Sequence, residues 1–78
     1  MDTTAKQITQ WVWAEIDGLY RANIYKNETS LYTELAALAD LSVSLIRQFH
    51  QGKKPNPSVE TVDRMAQAIK AAKRLRAA

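Results

Sequence analysis

An all-α fold is predicted by three features of the 78-residue sequence. Glycine and proline occur only twice each, so little interrupts helical stretches. Alanine and leucine recur throughout, and no segment alternates apolar and polar residues as a half-buried strand does. Apolar residues recur instead at helical spacing. A chain of this length makes one domain, near the lower limit at which a hydrophobic core sustains itself.

The first helix is expected from about Thr4 to Tyr25. Ile8, Val12, Ile16 and Leu19 stand at i, i+4, i+8 and i+11 and form its core-facing stripe. Gly18 marks a bend or an early end, because glycine costs about 1 kcal/mol against alanine inside a helix. Trp11 and Trp13 are two residues apart and point about 200° from each other. One small core cannot take both. The second indole sits either at the rim of that core or against a dimer partner, and Tyr20 and Tyr25 extend the aromatic patch. Lys26 to Ser30 forms the next connection. Thr29 or Ser30 is the expected cap of a second helix over 30–39, with Glu34 near its positive end and Leu35, Leu38 and Ala39 facing inward.

Only Asp40-Leu41 separates this helix from a third, expected over 42–51 and capped by Ser42. So short a turn forces a steep crossing, the helix-turn-helix geometry. At about 100° per residue, Ser44, Arg47, Gln48 and Gln51 fall on one stripe of the third helix, and Ile46 and Phe49 fall opposite. Gly52 suits the helix exit, and Pro55 and Pro57 forbid continuation. A last helix over 58–76 is capped by Ser58 and carries Glu60 in its first turn. Val59, Val62, Ala66 and Ile69 form its inner stripe, with Met65 at the margin. Beyond Ile69 come Lys70, Lys73, Arg74 and Arg76, which suit a helix C-terminus and alternatively offer a nonspecific hold on a polyanion.

The net charge of +3 is unevenly spread. Up to Leu41, Lys6, Arg21 and Lys26 face Asp2, Glu15, Asp17, Glu28, Glu34 and Asp40, a net of −3. From Ser42 onward, Arg47, Lys53, Lys54, Arg64, Lys70, Lys73, Arg74 and Arg76 face Glu60 and Asp63, a net of +6. The basic half begins at the third helix, which points to a polyanionic partner. Cysteine is absent and His50 is the sole histidine. No thiolate or histidine metal set is therefore available, and His50 reads as a surface or edge residue. There is no Gly-rich phosphate loop and no nucleophile–base spacing, so an enzyme, a cofactor and a small-molecule ligand are not expected. No apolar run approaches the ~18 residues of a membrane span. The first residues lack a signal-peptide core, and a cytoplasmic protein is expected.

One stretch carries a family pattern. Glu34, Ala36, Asp40, Leu41, Ser42, Ile46, Phe49, Gly52 and Lys53, followed by Pro55, Pro57, Ser58 and Val62, are spaced as in the phage-repressor helix-turn-helix proteins. The segment from Ser30 to Ile69 resembles that family, the lambda-repressor-like Cro and cI type. The turn departs from it: the family carries glycine where this chain has Asp40, a residue that tolerates the left-handed conformation better than most.

The resemblance implies a compact four- to five-helix DNA-binding domain and a sequence-specific regulator, a repressor of phage or mobile-element type or an antitoxin. It would bind double-stranded DNA as a homodimer on a palindromic operator. Base readout then falls to Val43, Ser44, Arg47 and Gln48, and phosphate contact to Ser42, Gln51, Lys53 and Lys54. The dimer contact is expected on the first helix through Trp11, Trp13 and Tyr20, with Ala72 and Leu75 of the last helix as the competing surface. The other reading is a protein-interaction module on the same fold, working through its basic face or its tryptophans.

Overall fold

In the computed structural model, which describes residues 5–53 and 57–77, the chain forms four helices and, among the described residues, no strand. They are α1 (Ala5–Arg21), α2 (Glu28–Ala39), α3 (Val43–His50) and α4 (Val59–Ala77). The expected all-α class is what the chain adopts. Its radius of gyration of 11.8 Å is that of a compact domain of this size.

Helix boundaries follow local chemistry. α1 runs straight through Gly18 but stops at Arg21, four residues short of the expected end at Tyr25. The stop is Asn23, whose φ of 60° is left-handed and whose amide closes a turn onto the Tyr20 carbonyl at 3.2 Å. Asn is one of the few residues to which that conformation is cheap. α2 starts two residues earlier than expected, because the cap is Asn27 rather than Thr29 or Ser30. The Asn27 carboxamide oxygen accepts the Ser30 amide at 2.8 Å, which satisfies one of the unpaired donors of the first turn. Ser42 and Ser58 cap α3 and α4 as expected, accepting the amides of Leu45 at 3.1 Å and Thr61 at 3.2 Å.

The two exits flanking α3 share one device. α2 ends at Asp40, with φ 57° and ψ 47°, and the Leu41 amide reaches back to the Ala36 carbonyl at 3.0 Å. α3 ends through Gly52, with φ 80°, and the Lys53 amide reaches the Gln48 carbonyl at 2.8 Å. Both are left-handed C-terminal turns that satisfy otherwise unpaired carbonyls. Only the second uses glycine.

The core comprises Val12, Ile16 and Leu19 of α1, Leu31, Tyr32, Leu35, Ala36 and Ala39 of α2, Ile46 and Phe49 of α3, and a long stripe of α4 from Val62 to Ala72. Ile8 packs at its edge. Three expectations are corrected. Leu38 faces outward, and Val59 is 71% exposed because it opens α4 beyond the end of the core. Met65 is central rather than marginal, being 1% exposed, because the buried arc of α4 is centred between Val62, Ala68 and Ile69. α2 and α4 make the most extensive contact, and α1 lies across both. α3 packs on α2 and α1, and its backbone makes no close approach to α4.

Asp40 is therefore strained for want of glycine. Its side chain is fully exposed and 3.8 Å from Arg64, a distance and exposure at which an ion pair contributes little. Asp40→Val is expected to lower the unfolding free energy by about 1–2 kcal/mol, while Asp40→Gly holds or raises it. Urea denaturation followed by circular dichroism measures both, and equal losses in the two variants would contradict the assignment.

Candidate nucleic-acid interface

α3 is amphipathic, with a sharp division between faces. Ile46 and Phe49 are buried beneath it. Ser42, Ser44, Arg47, Gln48, Gln51 and Lys53 are all exposed along the opposite side and the exit. The Gln48 carboxamide donates to the Ser44 hydroxyl at 3.2 Å, one helical turn away, so these two side chains present a fixed pair of polar groups. Neither the Arg47 nor the Lys53 side chain has a hydrogen bond or ion pair among the described residues. Val43 differs from the rest. It is half-buried and packs against the core, so only part of it is open to a partner. Lys54 lies outside the described residues.

The cations of α4 are arranged differently. Lys73 pairs with Glu15 of α1. Arg76 lies 3.5 Å from Glu34 of α2 and over the ring of Tyr25, 4.5 Å from its centroid. The Tyr25 hydroxyl donates to the other oxygen of Glu34. Burial and this carboxylate together push the Tyr25 phenol above its ordinary range. Arg64 pairs with Glu60 at 2.9 Å. Lys73 and Arg76 thus meet acids of the first half, whereas Lys70 and Arg74 of α4, like Arg47 and Lys53, have no ion pair among the described residues.

The expected aromatic patch divides. The Trp13 indole N–H donates to the backbone carbonyl of His50 at 2.9 Å, capping one of the open carbonyls at the end of α3. Its ring and that of Tyr20 stand against the His50 imidazole, with centroids 5.6 and 5.7 Å away. Trp13 therefore has a place within the monomer, at the edge of the core. Trp11, on the other flank of α1, is 41% exposed and has no such seat. Ala72 is fully buried, which removes it from the competing α4 surface and leaves only Leu75 exposed there.

His50 has partners that its sequence neighbourhood does not announce. Of the two expected places, surface or edge, it takes the edge of the core, where its side chain is 9% exposed. Nδ1 lies 2.7 Å from the Tyr32 hydroxyl, and Nε2 lies 3.0 Å from Asp17. Asp17 also accepts Arg21 at 2.7 Å. The His50 hydrogen bond, then the Arg21 one, hold the Asp17 carboxyl below the usual range. Burial, with Glu28 nearby, pushes the Tyr32 phenol up to about 12. A signal was available. His50 stands four residues after Ile46 and one after Phe49, on the apolar side of the helical wheel.

No family model matches the chain, and no curated protein or solved structure is significantly similar to it. Among the described residues no group of histidine, cysteine and acidic side chains could hold a metal ion, and no helix is long and apolar enough to cross a membrane.

The depressed carboxyl of Asp17 has a pH signature. Its contribution to stability is complete above the ordinary aspartate range, near pH 4. It is lost as pH falls from there through the lower folded-state value. The denaturation midpoint of the parent is expected to fall more steeply below about pH 4 than that of Asp17→Asn. Parallel acid profiles would show that the carboxylate contributes nothing.

Proposed function

We propose that this protein is a sequence-specific DNA-binding regulator of the phage-repressor helix-turn-helix kind, with α3 as its recognition helix. One observation carries the reading. The solvent face of α3 brings the hydrogen-bonded Gln48 and Ser44 side chains together with cations at Arg47 and Lys53 that have no ion pair among the described residues. Arg and Gln are the side chains that make bidentate contacts to guanine and adenine edges in the major groove. The short turn at Asp40 and the absence of a close backbone approach between α3 and α4 support the reading, since both leave the outer face of α3 open to solvent.

Binding as a homodimer on a palindromic operator belongs to the same proposal. One recognition helix reads too few base pairs to select a site, and a second half-site about 34 Å away supplies the missing discrimination. Trp11, exposed on α1 and unused by the monomer core, is the side chain proposed for the dimer contact. Regulation then follows from occupancy, most simply as repression of a phage or mobile-element promoter.

Selection of bound sequences from a random duplex library tests this directly, and an enriched palindrome is expected. On that sequence, Arg47→Ala and Gln48→Ala are each expected to cost about 1–3 kcal/mol and to relax preference at one position per half-site. Equal losses on unrelated DNA would reassign them to phosphate contact. Lys53→Ala is expected to weaken specific and nonspecific binding alike and to reduce the salt slope by about one unit. Failure of the parent to bind any duplex at low salt would defeat the proposal and favour a protein partner for the same face.

A further inference from the structure

The polar strip of α3 does nothing by itself to fix where α3 points. That depends on what holds the helix, and at its C-terminal end the holder is His50. The imidazole bridges two other helices. One nitrogen meets Asp17 of α1 and the other meets Tyr32 of α2, at 3.0 and 2.7 Å. The Tyr32 hydroxyl lies in turn 3.4 Å from Glu28.

This row of four groups has two complete hydrogen-bond states. With a neutral imidazole, Nε2–H donates to Asp17 and Nδ1 accepts the phenol proton. With an imidazolium, both nitrogens donate, and the phenol proton turns to Glu28. The charged state adds an ion pair with Asp17 and a hydrogen bond to Glu28. It also sets a positive charge in the last turn of α3, where the helix dipole favours one. Two cations oppose it. They are Arg47 on α3 itself and Arg21, which shares Asp17, and both are exposed and screened by solvent. Trp13 and Tyr20 line the remaining α1 side with uncharged rings, and the α4 backbone makes no close approach to α3.

We propose that His50 is a positioning residue whose charge state sets how firmly α3 is docked, so that the polar strip engages duplex DNA more tightly when the imidazole is charged. The docking half stands on the geometry alone, and the DNA half rests on the function proposed above. Histidine is the side chain suited to such a change in the neutral range.

The test pairs two measurements on the parent, His50→Gln and Asp17→Asn, each confirmed as folded by circular dichroism. The first is affinity for the duplex selected from the random library at pH 5.5 and pH 8. The parent is expected to bind about tenfold more tightly at the lower pH, within the usual range of coupling between two sites, and both variants are expected to lose most of that ratio. The second uses no DNA: amide hydrogen-exchange protection of α3 relative to α2 at the same two pH values. It is expected to rise at pH 5.5 in the parent only. Equal pH ratios in parent and variants overturn the proposal. Should His50→Gln not fold, Asp17→Asn, which keeps the shape of its side chain, decides the matter. A parent that binds no duplex at either pH defeats the proposed function, and the exchange data then judge the docking alone: α3 protection indifferent to pH overturns it.

Discussion

A helix of eight residues cannot hold itself together in water, because nucleation costs more than so few hydrogen bonds return. α3 is such a helix, and its existence depends on docking. Ile46 and Phe49 supply the apolar part of that docking. The ends supply the rest: Ser42 and Gly52 close the backbone, and Trp13, Asp17 and Tyr32 gather around His50. The α4 backbone makes no close approach to α3, so the polar attachments come from α1 and α2, while Ile46 and Phe49 join a core that α4 shares. The solvent face of α3 is consequently free of structural duties, and its residues can be chosen for a partner without disturbing the core.

Charge is organised by the same division. The acidic first half and basic second half look in sequence like two surfaces of opposite sign. Folding brings parts of them together, Lys73 onto Glu15 and Arg76 onto Glu34 and Tyr25. Exposed pairs of this sort contribute little stability individually. Their larger effect is to lower the positive potential around Lys73 and Arg76, while Lys70 and Arg74 of α4 stay unpaired among the described residues, as Arg47 and Lys53 do.

Helix periodicity made most of the fold legible. The apolar stripes of α1 and α3 and the caps at Ser42 and Ser58 were readable because each rests on neighbours within a few residues, whereas those of α2 and α4 were readable only in part, Leu38 and Val59 being exposed and Met65 central. The end of α1 and the start of α2 were misjudged through two asparagines. Asn23 and Asn27 stop and start helices by backbone conformation and a side-chain hydrogen bond, and neither leaves a mark in hydrophobic spacing. The polar strip of α3 was likewise readable from one helix. The His50 cluster was not read, because its partners lie 33 and 18 residues away, and nothing in the spacing of Asp17 or Tyr32 announces the meeting. His50 itself lies at the edge of the core, as one of the two expected alternatives had it, and its position on the wheel favours that one.

The dominance of the α2–α4 contact bears on how the protein is made. α2 displays Leu31, Tyr32, Leu35 and Ala36 toward a helix that leaves the ribosome some thirty residues later, with α3 made in between. Until α4 emerges, the apolar face of α2 has only α1 and α3 to cover it, and α3 is itself too short to persist without a finished platform. Domain completion during synthesis is thus a late event, achieved when the last helix arrives, rather than a stepwise growth from the first. A nascent chain of this design passes through an interval in which its apolar surface is open to chaperones and to other chains.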